Sequence, residues 1–284
     1  MKKIITTIIM IMMITSTNHA HATLSSSYIS TYGEPTIDIK GNGTIEMAEE
    51  DIEQAVIGGS ITIQLNPAEG YEVGQFVIVT SKGVVVQTSS KVYENEYYFY
   101  QPNDAIFIYV NFVLKGTEAS DKWFADVRSW EWYYGHVYSV ANSGIMNGYS
   151  TYMFAPENNM TRAMMWTILY RYADDSNSTS GESWYIEPQK WVVENGFSDG
   201  EKLDEDITVE EIATILYRYA GSPSVGSNYI SGYTDGSKVS FWAQDSMNWA
   251  VSKGLITGNT KGELKPTEPA TRAQVATIFV RFIA

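Results

Sequence analysis

The feature that most constrains this chain is one helical stripe written three times. "MTRAMMWTILYRYA" (160–173), "ITVEEIATILYRYA" (207–220) and "ATRAQVATIFVRFI" (270–283) align without a gap. Counted from Thr161, Thr208 and Thr271, the residues four, seven, eight and eleven later are apolar or aromatic in every copy. They are Met165, Ile168, Leu169 and Tyr172; Ile212, Ile215, Leu216 and Tyr219; Val275, Ile278, Phe279 and Phe282. This spacing puts one apolar face on each of three helices. Ahead of each stripe a tryptophan (Trp132, Trp184, Trp242) stands twelve residues before a glycine (Gly144, Gly196, Gly254). That leaves room for a first helix of about three turns closed by a left-handed residue. Each unit therefore reads as helix, loop, helix, and self-similarity at this period means that no unit buries its stripe alone.

The copies differ at the start of the second helix. Thr161, Thr208 and Thr271 are expected to cap it; Glu211 and Gln274 can complete capping boxes, and Met164 cannot. Arg162 and Arg272 then occupy the first helical position, where the positive end of the helix dipole disfavours a cation by about 0.3–1 kcal/mol. Two explanations stand open. A bound anion would meet free N–H groups, the dipole and a guanidinium able to grip a carboxylate through two bonds. Alternatively, each arginine pairs with Asp126 or Asp235, or simply faces solvent. The anion reading expects alanine at both positions to leave the melting temperature unchanged. The middle copy has Val209-Glu210-Glu211, which suits the dipole and would repel a carboxylate. Its Gly-to-Thr spacing is 12 against 17 in the others, so its loop is expected to be lost.

These landmarks resemble the S-layer homology (SLH) repeat of Gram-positive surface proteins. The first repeat carries the likeness through Phe124-x-Asp126-Val127, Trp132, Gly144, Gly148, Phe154-x-Pro156 and Thr161-Arg162-Ala163. The third carries it through Tyr233-x-Asp235, Trp242, Gly254, Gly258, Leu264-x-Pro266 and Thr271-Arg272-Ala273. Met164 and Gln274 depart from the family's glutamate, and the second repeat lacks the Arg, the long loop and the Pro. The resemblance implies a pseudo-threefold assembly whose grooves hold secondary cell-wall polysaccharide, often bearing pyruvate ketals. On that reading Arg162 and Arg272 meet the carboxylate, with Thr161 and Thr271 capping beside them. Trp132 and Trp242 stack on sugar rings or pack in the core, and Asp126 and Asp235 accept sugar hydroxyls or orient the arginines. Gly148 and Gly258 admit close backbone approach or supply a turn.

The rest of the chain reads differently. Residues 1–22 have two lysines, an apolar run and small residues before a cut near Thr23, the order of a secretory signal, and the run is too short to span a membrane. Residues 33–115 alternate polar and apolar, as in "SITIQL" (60–65), with turn signals between, and read as an all-β surface module, grasp-like or sandwich. They loosely resemble the divergent β-repeat modules of Gram-positive surface proteins. Tyr71, Tyr93, Tyr97, Tyr98, Tyr100 and Tyr109 could form a binding face or ordinary sheet packing. Residues 116–122 read as a linker, followed by repeats at 123–174, 183–221 (degenerate) and 232–284. The whole is thus an α+β multidomain chain with its strands first and its helices last.

Composition narrows the function. A formal charge of −14, more negative once the two lysines of the signal are gone, argues against nucleic acid as a partner. No cysteine is present, and His136 is the one histidine outside the signal, which weakens thiolate, triad and multi-imidazole metal chemistry. The expectation is a noncatalytic protein without cofactor or metal, exported to the cell surface and bound to wall polysaccharide. An S-layer lattice subunit or adhesin is the alternative, with a wall glycosidase behind it.

Overall fold

The computed structural model describes residues 35–47, 56–90, 94–118, 122–174 and 183–284, so the signal read at residues 1–22 lies outside the described residues. Among those described, no helix is long and apolar enough to cross a membrane. The chain has strands in its N-terminal part and helices in its C-terminal part, and it divides into two compact units. One comprises the residues up to Asp126 together with Ser150–Met153; the other comprises Val127–Tyr149 and Phe154–Ala284. The division falls after the 116–122 segment and assigns four loop residues of the first repeat to the β unit.

Among the described residues the β unit has seven strands: β1 (Thr36–Lys40), β2 (Gly43–Met47), β3 (Ser60–Pro67), β4 (Tyr71–Thr80), β5 (Thr88–Ser90), β6 (Glu96–Tyr100) and β7 (Ile106–Leu114). They form two sheets, ordered β1-β7-β4 and β2-β3-β6-β5, with β1 parallel to β7 and the other pairs antiparallel. Alternation decides which side chains face inward. Ile61, Ile63 and Leu65 of β3 meet Ile106, Ile108, Val110 and Phe112 of β7 in one core, so the two sheets make a sandwich. The turn from β1 to β2 needs glycine: Gly41 has φ +79°, and a Cβ there would lie 1.8 Å from the Phe112 carbonyl oxygen.

Strand β7 is buried on both faces. On its outer face Trp123 stacks on Tyr109 with ring centroids 4.8 Å apart and donates from Nε1 to Asp38 at 2.7 Å, while Val77, Val79 and Ala125 complete the cluster. The tyrosines accordingly do not form one face. Tyr109 is buried against Trp123, Tyr97 packs on Phe76, Tyr98 and Tyr100 meet edge to face, and Tyr93 lies outside the described residues.

The helical unit has α1 (Tyr134–Asn142), α2 (Arg162–Asp174), α3 (Ile186–Glu194), α4 (Val209–Tyr219), α5 (Gln244–Ser252) and α6 (Arg272–Ile283), with short 3-10 turns before α5. The second helix of each repeat packs against the first helix of the next: α2 on α3, α4 on α5, and α6 back on α1. Met165, Leu169, Ile212, Leu216, Val275 and Phe279 are fully buried, as the shared stripe requires.

Both ends of the second helices are tied across repeats. The residue before each capping threonine enters a closed ring of backbone hydrogen bonds. Met160 donates to Ala270, Ala270 to Ile207, and Ile207 to Met160, at 3.0, 2.9 and 2.8 Å. At the far end Tyr172, Tyr219 and Phe282 touch pairwise, with ring centroids 6.0 to 6.5 Å apart.

The middle repeat keeps more than its sequence suggests. Six residues before each threonine, Ala155, Lys202 and Lys265 all take the left-handed conformation, with φ of 60°, 55° and 54°. The second loop is therefore shortened ahead of this turn and retained from the turn onward, which corrects the expectation that it is lost.

Candidate functional site

The loop turn of each repeat receives the helix start of another. Arg162 and Ala163 donate their backbone N–H groups to Glu205 and Leu203 of the second loop. Val209 and Glu210 donate to Glu268 and Pro266 of the third, and Arg272 and Ala273 to Asn158 and Pro156 of the first. Thr161 Oγ1 accepts from the Met164 N–H, and Thr208 and Thr271 form the expected capping boxes with Glu211 and Gln274. Intramolecular acceptors thus take the first-turn N–H groups, which a bound carboxylate would have needed free.

The arginines follow their helix starts into the same loops. Arg162, 7% exposed, donates from Nε to the Glu201 carbonyl at 3.0 Å, from Nη1 to Glu211 and from Nη2 to Asp199. Arg272, 5% exposed, donates from Nε to the Phe154 carbonyl at 2.8 Å and from Nη2 to the Asn147 carbonyl at 2.6 Å. Its guanidinium also lies over the rings of Tyr149 and Phe154. The partners of Arg162 are therefore Asp199 and Glu211, neither of the two carboxylates expected. Burial raises the Asp199 carboxyl, but its bond from the Glu201 N–H and the charge of Arg162 outweigh this and hold it below the usual aspartate range. The ion pair therefore persists into moderate acid.

The other expected site residues have different surroundings. Asp235 is 6% exposed and accepts from the Leu264 and Lys265 N–H groups at 2.7 and 2.8 Å, so both carboxylate oxygens hold the third loop. Asp126 is half-buried. Gly148 sits between Asn147 and Tyr149, both of which hold Arg272. Gly258 has φ +69°, and a Cβ there would lie 2.7 Å from the Tyr233 ring. Trp132 and Trp242 are 59% and 56% exposed, which removes core packing as their role.

Trp132 does not join Arg162. It lines a cavity of about 470 Å³ formed with the third repeat, whose walls include Gly258, Asn259, Gln274, Thr277 and Arg281, with Val209 of the second repeat. Arg281 was missed as a site residue because it stands ten residues after Thr271, away from the helix start; the arginine at this place in each repeat donates to the carbonyl following the helix-ending glycine, Arg171 to Ile145, Arg218 to Phe197 and Arg281 to Leu255. Both hydrogen bonds of Arg281 leave from Nη1, the second reaching Thr257. The buried Thr277 hydroxyl has no hydrogen-bond partner among the described residues, whereas Thr167 and Thr214 at the same position bond to carbonyls four residues back.

His136 of α1 senses this arginine. Burial and the Arg281 charge hold its pKa below the usual 6.5, against the raising effect of a bond to the Trp132 backbone carbonyl. Below about pH 6.5 the unfolded chain takes up a proton that the folded chain resists. Stability is then full above that pH and falls as pH drops through it. The variant His136→Gln should flatten the melting temperature between about pH 7 and 5 relative to the parent.

The family model for the S-layer homology domain matches residues 124–163 and 232–276, the first and third repeats up to the start of α2 and into α6. The chain carries S-layer homology domains. It is a cell-surface, wall-associated protein. Residues 183–221, read from the sequence as a degenerate middle repeat, lie outside both matches. The chain is 30% identical over 162 residues to the Surface-layer 125 kDa protein of Lysinibacillus sphaericus, covering 52% of this chain and 14% of that one. It is 25% identical over 169 residues to an Endoglucanase of Bacillus sp. (strain KSM-635), covering 55% and 18%. It is 26% identical over 156 residues to the Cellulosome-anchoring protein of Acetivibrio thermocellus, covering 48% and 34%. The chain thus spans about a third or less of the length of these relatives.

Proposed function

We propose that this protein holds noncovalently to the Gram-positive cell wall by binding secondary wall polysaccharide through its S-layer homology repeats, and that it displays the β sandwich without itself catalysing a reaction. The repeats act as one pseudo-threefold body, a reading supported by the closed ring through Met160, Ile207 and Ala270 and the aromatic triangle at the other end. The observation that carries the binding reading is the exposed indole of Trp132 at a cavity walled by amides, hydroxyls and Arg281. An aromatic face packs on the C–H face of a sugar ring while the polar groups take its hydroxyls, and a guanidinium takes a carboxylate such as that of a pyruvate ketal. A local cation lets an acidic protein hold an acidic polymer.

The test is sedimentation of the full chain with purified walls, before and after the secondary polymer is stripped. Saturable binding to intact walls, lost on stripped walls and without sugar release, is expected. Equal binding to stripped walls would overturn the polysaccharide reading. Release of wall sugars would make the protein an enzyme, and ordered arrays formed without walls would make it a lattice subunit.

A further inference from the structure

We infer that the chain has a single open polysaccharide groove, that of the third repeat, and that Val209 is the residue that opens it. The ligand class rests on the function proposed above; the inequality of the grooves does not. The second helix starts enter the loops in rotation: Arg162 the second, Arg272 the first, Val209 the third. In the first two, the guanidinium fills the loop and its Nε takes the carbonyl seven residues before the capping threonine, Glu201 or Phe154. The third loop has Leu264 at that position, and among the described residues nothing donates to the Leu264 carbonyl. Val209 cannot reach it, having neither the length nor a donor.

The volumes follow. The first-repeat groove, bounded by Thr167, Ile168, Arg171 and Arg272, measures about 90 Å³. Its counterpart, bounded by Thr277, Ile278, Arg281 and Val209, measures about 470 Å³. Ligand pockets typically measure roughly 300 Å³ or more, so the second has the size of a sugar-binding pocket and the first falls well short of it. The tryptophans rotate the opposite way, with Trp184 of the second repeat at the first-repeat groove and Trp132 of the first repeat at the third. Trp242 then falls to the second, where Arg162 already occupies the loop. Arg162 and Arg272 are thus positioning residues that close two grooves, and the substitution that makes the middle repeat look degenerate makes its neighbour competent.

Titration calorimetry of the full chain with solubilised wall polysaccharide tests this. One site per chain is expected. Val209→Arg should weaken binding at least tenfold while leaving the melting temperature unchanged or raised, because the new guanidinium finds the Leu264 carbonyl. Trp132→Ala, at an exposed side chain that folding does not need, should weaken binding at least tenfold, and Trp242→Ala should change it less than twofold. If Val209→Arg fails to fold, the two tryptophan variants decide. A parent chain that binds with Trp132→Ala unaffected, or with Trp242→Ala as damaging, overturns the single-groove inference and leaves wall binding standing. A parent chain that binds no polymer overturns both.

Discussion

Replacing Arg162 with alanine is expected to lower the stability of the helical unit by about 2–3 kcal/mol, the cost of leaving acceptors of a charged donor without a partner below the surface. The loss comes from two of its partners. Glu211, whose side chain is 23% exposed, caps α4 through one oxygen and receives Arg162 on the other, and the Glu201 carbonyl receives Nε. Asp199 is 60% exposed and rehydrates, so its share is small. For a unit of this size, the change corresponds to a fall in melting temperature of roughly 5–10 °C. Arg162→Lys should recover only part of it, since an ammonium cannot reproduce a fork that serves three acceptors at once. Thermal melting followed by circular dichroism checks this. An unchanged or raised melting temperature is what an arginine kept only for a ligand would give, and would contradict the structural role.

Ending the chain after Ala220 should abolish cooperative folding of what remains of the helical unit. The truncation removes α6, against which α1 packs, and with it Phe282 from the aromatic triangle and Ala270 from the hydrogen-bond ring. It also removes the third loop, which holds the first-turn N–H groups of Val209 and Glu210. Met160 would lose its acceptor and Ile207 its donor in the same step. A broad melt and rapid proteolysis are expected, and a sharp melt with protease resistance would mean that the repeats fold separately.

The period of the stripes and the helix-ending glycines were legible because each depends on local spacing. Met165, Leu169, Ile212 and Phe279, expected on the apolar stripe, are buried, and Gly144, Gly196 and Gly254 all have positive φ. What was not legible is the rotation. Nothing within one repeat says whether its loop receives its own helix start or another's, so Trp132 was grouped with Arg162 when it lines a cavity with Val209 and Arg281. The shared loop turn was hidden because alanine and two lysines adopt a conformation that sequence reading looks for at glycine. Arg281 was discounted because it stands ten residues after Thr271, away from the helix start; it holds the Leu255 carbonyl and also forms part of the cavity wall. In the β unit the strands were readable from alternation. The parallel pairing of β1 with β7, some seventy residues apart, was not, because it depends on a core assembled from both sheets.

The account stands on three repeats locked into one ring, since only then does each loop receive a foreign helix start and one groove stay open. Native-state hydrogen exchange of the Met160, Ile207 and Ala270 amides tests that most directly. All three are buried and each donates to the next repeat in the ring, so they should exchange only through global unfolding, with equal protection and equal sensitivity to denaturant. One of the three exchanging through a smaller opening, at a free energy well below the other two, would contradict the shared ring.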